Sequence, residues 1–495
     1  MVALYAPVLR FGLVAEDFQF ALKGAKVAED PLELFRPFQL VWRPAVYAVF
    51  AVLARAAGPL PVWYRIVQMA AGLALGAAGW LLLRRVAGLG PWLSAATVVV
   101  WLASPLANEP LCGEASFVGH LLFGASALLA LSLHAGAPSG TRRLGVALAL
   151  LVAAACKEEW IVVPAMLLLE DLALHGVPLR RALGGARWWF AGAGVYLAVY
   201  GAITRYRYAG VYHPSAGTIA AKTLHTLTAF VQLSEPLPWG FGQALAEAPW
   251  KALAAALILA AIAVVAVARR LRRPLLLLAC CALSALPTLP TVAQAGRWTF
   301  LPWLFFLGGV VAWVREASPR AWRRPAARAS AAVLLAVVAA RGAATTRGDI
   351  ADWGKLDLLT AALRREAGPL VEEAARGRGL VVLRLDDSGP WAALVSEPEG
   401  QTKAMFPRPD DPYGIVSLSA LLSWETYAGG WVLERVAALP EGAPAVAFLH
   451  SSGGFRRLDA VPAVAVRHPI HPGSGVPGVI LHPRSWAGFA PREFP

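Results

Sequence analysis

The chain has 495 residues, 58% of them hydrophobic and 15% charged, with a mean hydropathy of +0.56. That balance excludes an ordinary water-soluble domain and places the chain among integral membrane proteins. The formal net charge of +14 comes from 45 Lys and Arg against 31 Asp and Glu; because the arginines sit mainly in short loops between apolar runs, the excess reads as a topology signal and argues against nucleic acid as a partner.

The sequence predicts an α-helical multi-pass protein over residues 1–341, followed by a small extracytoplasmic α/β domain over residues 342–495. At the N-terminus about 15 fairly apolar residues, interrupted by Arg10, precede Glu16-Asp17. A spanning helix ending there needs an earlier start, and a stub lying on the outer surface is the alternative. Residues 44–57 follow Arg43-Pro44 and are too short to cross, which suits an interfacial or re-entrant helix. Segment 218–233 has the same character. Such pieces are tolerated at membrane depth where protein or a water-filled cavity covers the backbone, so they argue for a cavity at the outer face.

Spans are predicted at 63–83, 90–107, 115–134, 160–175, 187–204, 250–268, 274–290, 298–314 and 325–341. The shorter run 143–156 must also cross if its flanking loops are to alternate, which brings the total to about ten. Alternate loops then collect the arginines: Arg84 and Arg85; Arg142 and Arg143; Arg180, Arg181 and Arg187; Arg269, Arg270, Arg272 and Arg273; and Arg315, Arg320, Arg323, Arg324 and Arg328. By the positive-inside rule that side is cytoplasmic. The opposite side carries mixed clusters, namely Glu16-Asp17, Glu109 with Glu114, Lys157-Glu158-Glu159, Arg205-Tyr206-Arg207 and the lone Arg297.

After residue 341 the long apolar runs stop. Residues 355–377 read as an amphipathic helix and 379–385 as a buried strand ending in Asp386-Asp387, with further strand-like pieces near 431–436, 444–450 and 478–482. The four cysteines show no metal-ligand spacing. Cys112 and Cys156 both fall toward the outer face, which leaves a disulfide between them open. His213, His225 and His450 are not spaced as ligands. The 19 tryptophans fit the interfacial belts of a membrane protein and do not by themselves indicate a sugar platform.

Charged side chains at the end of a span are costly unless paired or hydrated, so their clustering on one face marks a functional cavity. A carboxylate beside several cations there suits transfer of a group from a lipid phosphate: the cations bind the phosphate as leaving group, and the carboxylate deprotonates or orients an acceptor hydroxyl.

At these residues the sequence resembles the GT-C superfamily of polyprenyl-phosphate-sugar-dependent glycosyltransferases. Within it the chain is most similar to bacterial relatives of the transmembrane O-mannosyltransferases that carry tetratricopeptide repeats. Glu16-Asp17 stands where the family has its acidic pair after the first helix, Trp42-Arg43-Pro44 matches an aromatic-Arg-Pro element with Gly58 after it, and Lys157-Glu158 with Pro164 matches a Lys-Glu turn. Residues Arg297 to Pro302 align with a late Arg-Tyr-x-Tyr-x-Pro stretch. The chain departs from the pattern at Arg65 and Gln68, where relatives carry His and Asn, at Trp298 and Phe300, where they carry tyrosine, and in having no tetratricopeptide repeat.

The resemblance implies a membrane glycosyltransferase that moves a sugar, with inversion, from a polyprenyl-phosphate donor to a glycan, protein or lipid acceptor at the extracytoplasmic face of a bacterial inner membrane. In that reading Asp17 and Glu16 are catalytic, and Lys157, Arg297, Arg205 and Arg207 bind the donor phosphate. Glu158 orients Lys157 and Arg43 braces the first outer loop. No obligatory metal is expected; a divalent cation stays open, with Glu16, Glu114 and Glu158 as oxygen ligands. Two other classes remain: a transporter or flippase for a lipid-linked or polar solute, and a non-catalytic membrane scaffold.

Overall fold

The computed structural model describes residues 2–14, 17–37, 41–58, 60–136, 139–204, 219–220, 223, 226–227, 230, 249–289, 296–362 and 365, together with strands at 380–385, 414–417, 445–451 and 454–458. The chain forms two compact units, one comprising residues 1–10 and 23–351 and the other residues 11–22 and 352–495.

The first unit is helical. After α1 (Val2–Tyr5) and α2 (Asp17–Glu29), of which residues 17–22 belong to the second unit, come α3 (Pro44–Ala57), α4 (Pro61–Arg85), α5 (Pro91–Ala103) and α6 (Pro105–Cys112). Each of the last four opens on proline, whose missing N–H is no loss in a first turn and whose fixed φ suits the helix. Then follow α7 (Val118–His134), α8 (Gly140–Cys156), α9 (Val163–Ala173), α10 (Leu179–Thr204), α11 (Pro249–Ala268), α12 (Arg272–Ala285), α13 (Gly296–Ala317), α14 (Pro319–Trp322) and α15 (Pro325–Ala362).

Among the described residues, four helical stretches are long and apolar enough to cross a membrane: Pro61–Arg85, Ala115–His134, Arg297–Ala317 and Pro325–Ala351. The protein is therefore a helical, membrane-associated one. Its apolar surface agrees. On α8, Leu144, Leu148, Leu151 and Val152 are exposed while Val146, Ala149, Leu150, Ala153 and Ala154 are buried, an apolar outer stripe at helical spacing of the kind a lipid-facing helix carries.

Among the differences from the expected spans, two concern where helices break and continue. The run 90–107 breaks at Ser104, because Pro105 disfavours helical backbone in the residue before it; Ser104 is extended and its hydroxyl accepts from the Leu106 N–H at 3.3 Å, starting α6. The run 325–341 continues without a break, and α15 reaches Ala362, taking in the first part of the amphipathic helix expected at 355–377.

The core is dense around the segment between α5 and α7. Every residue from Trp101 to Leu121 is buried, so a stretch expected as an outer loop is enclosed by helices. The α4–α7, α7–α8 and α12–α13 pairs pack side by side. Gly124 of α7 permits one such approach, since a Cβ there would lie 2.7 Å from the Phe300 ring and 2.8 Å from Leu75. Trp101 Nε1 donates to the Phe300 carbonyl at 2.7 Å and Thr299 Oγ1 to that of Leu106 at 3.1 Å, which fixes α13 against the α5–α6 corner.

Several of the arginines assigned to one set meet at one end of this bundle. Arg85 donates to the Ser132 carbonyl at 3.1 Å, Arg315 to that of Gly88 and Arg269 to that of Ala317 at 2.5 Å; Arg273 lies 3.9 Å from Glu316. These contacts tie the C-terminal end of α4 to the ends of α7, α11 and α13.

In the second unit, Gly12 N donates to Asp357 Oδ1 at 2.8 Å. Its strands β1 (Leu380–Leu385), β2 (Gly414–Ser417), β3 (Ala445–Ser451) and β4 (Gly454–Leu458) pair in the order β2-β1-β3-β4. β1 runs parallel to both β2 and β3, while β4 returns antiparallel to β3. β1 and β3 coincide with the strands expected at 379–385 and 444–450; the pieces at 431–436 and 478–482 lie outside the described residues.

Candidate functional site

Arg43 is the residue before Pro44 and caps α3 with non-helical backbone, in keeping with the bias of a residue before proline away from the helical region. Its guanidinium forks onto Glu158, with Nη2 donating to Oε1 at 3.0 Å and Nε to Oε2 at 3.4 Å. Glu158 opens the 3-10 turn Glu158–Val162 that joins α8 to α9. Burial alone would raise its carboxyl, but the charge of Arg43, then that of Lys157, outweighs burial and holds it at about 2.

Lys157 ends α8 with extended backbone and is 3% exposed. Its Nζ lies 2.9 Å from Glu159 Oε1. Burial pushes its ammonium below the ordinary lysine range, opposed by Glu159 and Glu158. Glu159 is pushed up by burial, which the Lys157 charge only partly offsets and the Glu158 charge reinforces. Glu158 thus bears on Lys157 through its charge, while the hydrogen bond from Lys157 goes to Glu159.

Arg297 is the second residue of α13. Glu109, on α6, accepts from its backbone N–H at 2.7 Å through Oε2 and from Nη1 at 2.6 Å through Oε1. One carboxylate thus caps the helix start and pairs the cation. The guanidinium also stands 5.0 Å from the Phe117 ring and 5.3 Å from that of Trp298, within cation–π range.

Three cations from distant parts of the sequence therefore gather at the first turn of α7. A Cβ on Gly119 would lie 2.7 Å from Val46, three residues after Arg43, and 3.5 Å from the carbonyl of Cys156, the residue before Lys157. Phe117, two residues earlier, carries Arg297 on its ring. His120 stands among them and feels the charges of Lys157, Arg43 and Arg297 together.

An aromatic wall adjoins the Arg43–Glu158 pair. Trp42 stacks on Tyr196 at 6.3 Å between centroids and Trp160 meets the same ring edge-on at 5.3 Å. Arg65 and Gln68 are both fully buried. Arg65 donates to Gln68 Oε1 at 2.9 Å and to the Gly113 carbonyl, while Gln68 Nε2 donates to the carbonyls of Pro110 and Glu114 at 3.0 and 2.9 Å. They staple α4 to the segment that carries Glu109.

Asp17 belongs to the second unit. It is fully buried at the start of α2, where its Oδ2 accepts from the Val14 N–H at 3.1 Å and its own N–H donates to the Val14 carbonyl at 2.9 Å. Glu16, Arg205 and Arg207 lie outside the described residues, as do His213 and His225. Cys112 and Cys156 are both buried, and the disulfide left open between them is not formed in the structure. Among the described residues no three His, Cys, Asp or Glu side chains gather as a metal site.

Sequence reasoning missed three members of the site: Glu109, Glu159 and His120. The two glutamates were visible as outer-face charges but had no assigned partner. His120 sits in an apolar run and carried no signal of its own. Comparison of the chain with known protein families, with curated proteins and with solved structures returns no match.

Proposed function

We propose that this chain is a membrane-embedded glycosyltransferase that moves a sugar from a polyprenyl-phosphate donor to an acceptor at the extracytoplasmic face. The observation that carries the reading is the gathering of Arg43, Lys157 and Arg297 about one helical turn of a membrane-associated bundle. Such a group of cations, partly desolvated and braced by carboxylates, matches a phosphate leaving group better than a neutral solute.

In this scheme Lys157 and Arg297, with Arg205 and Arg207, hold the donor phosphate, and the Arg43–Glu158 pair keeps the turn that carries Lys157 in place. The acceptor oxygen attacks the anomeric carbon from the face opposite the phosphate. The carbon–oxygen bond to phosphate breaks, its electron pair stays on the phosphate oxygen, and the acceptor proton passes to a carboxylate, the role for which the sequence puts forward Asp17 and Glu16. The configuration at the anomeric carbon inverts. We place the protein in the bacterial inner membrane and the α/β part after residue 341 outside the cytoplasm.

The test uses purified full-length protein in lipid nanodiscs supplied with radiolabelled polyprenyl-phosphate sugars. Label should leave the lipid with the native protein and stay on it with Asp17→Asn, inserted at the same level. Release from no donor would overturn the reading.

A further inference from the structure

His120 lies on the first turn of α7 and is 3% exposed. Its ring packs edge-on against Phe117, with centroids 5.5 Å apart at 81°, yet its Nε2 has no hydrogen-bond partner among the described residues. A buried polar atom left so is costly, and native proteins rarely keep one without a water, an ion or a ligand to meet it. The surroundings narrow the choice. Glu158, Glu159 and Glu109 are each bonded to a cation, Arg43, Lys157 and Arg297 respectively. All three cations bear on the imidazole, and the N-terminal end of α7 favours an anion there as well. An anion with oxygen acceptors would meet the ring N–H and the cations together.

We infer that His120 is a further residue of the donor site, its Nε2–H donating a hydrogen bond to a phosphate oxygen of the lipid-linked donor. The inference rests on the reading above, in which Lys157 and Arg297 hold that phosphate, and adds a neutral donor to two charged ones. No proton moves: the imidazole keeps its hydrogen while negative charge grows on the phosphate as the sugar leaves, so the bond strengthens in the transition state.

Isothermal titration of the full-length protein in nanodiscs with farnesyl phosphate, inorganic phosphate and farnesol tests this. His120→Ala should weaken farnesyl phosphate binding about tenfold, the equivalent of roughly 1.4 kcal/mol, and leave farnesol unchanged. His120→Gln, whose amide reaches a similar position, should lose less. A parallel loss for inorganic phosphate upholds the contact and assigns it to the phosphate alone; a loss confined to farnesyl phosphate upholds it for the lipid-borne group. Should His120→Ala not fold, His120→Gln and His120→Phe decide, the first retaining affinity and the second losing it. Native affinity in all folded variants, or an equal loss for farnesol, overturns the inference and leaves the glycosyltransferase reading standing. A native protein that binds no farnesyl phosphate overturns both.

Discussion

Removing Arg43 should destabilise the first unit by about 2–3 kcal/mol, and the effect should depend on Glu158. The side chains are 13% and 20% exposed and their two contacts are 3.0 and 3.4 Å. A fully exposed ion pair contributes about 0–1 kcal/mol, whereas stranding one member of a buried pair costs about 3–5 kcal/mol; the partial exposure and the one long contact place this pair between them. With Arg43→Ala the Glu158 carboxylate keeps its burial and loses its main counter-charge. With Arg43→Ala and Glu158→Ala together no charge is stranded, so the double variant should be more stable than the sum of the singles by about 1–2 kcal/mol. Equilibrium unfolding in mixed detergent micelles, followed by tryptophan fluorescence, measures all four corners of the cycle. Additive losses within about 0.3 kcal/mol would refute the argument, because independent sites behave that way.

Acid should act on the same pair. Glu158 sits at about 2, below the ordinary 4.5; a depressed folded-state value gives stability that is fully present above pH 4.5 and is lost as pH falls toward 2. Glu158→Gln should flatten that part of the stability–pH curve, read as melting temperature across the range. Gly124→Val should lower stability by about 1–3 kcal/mol through overpacking, since even a Cβ there would meet the Phe300 ring at 2.7 Å; a melting temperature equal to the native one would contradict the close crossing. Glu109→Gln removes the charge that both caps α13 and pairs Arg297, and should cost about 1–2 kcal/mol while weakening farnesyl phosphate binding through a misplaced guanidinium. Unchanged affinity in titration would show that Arg297 does not depend on Glu109.

The helices were legible because lipid-facing and core residues are both apolar over long runs, so α4, α7, α8 and α13 emerge from hydropathy near their observed bounds. Pro44 likewise fixed the start of α3. The break at Ser104 was less visible, since the apolar run passes through Ser104-Pro105 and hydropathy does not register backbone dihedrals. The site was half legible. Lys157, Arg43 and Arg297 stand out as charges among apolar residues, but pairing depends on where side chains meet in three dimensions, and neither the Arg43–Glu158 fork nor the Arg297–Glu109 cap follows from spacing. The enclosure of residues 101–121 was hidden for a related reason: Asn108, Glu109 and Glu114 look like loop residues until Asp349 accepts from Asn108, Arg297 pairs with Glu109 and Gln68 donates to the Glu114 carbonyl, each from another helix.

The most direct test of the central claim is a cryo-electron-microscopy structure of the full-length protein in a nanodisc with farnesyl phosphate bound. The account predicts phosphate density within about 3 Å of the side-chain nitrogens of Lys157 and Arg297, next to His120. Phosphate density on any other part of the molecule, with these side chains still closed on Glu159 and Glu109, would contradict it.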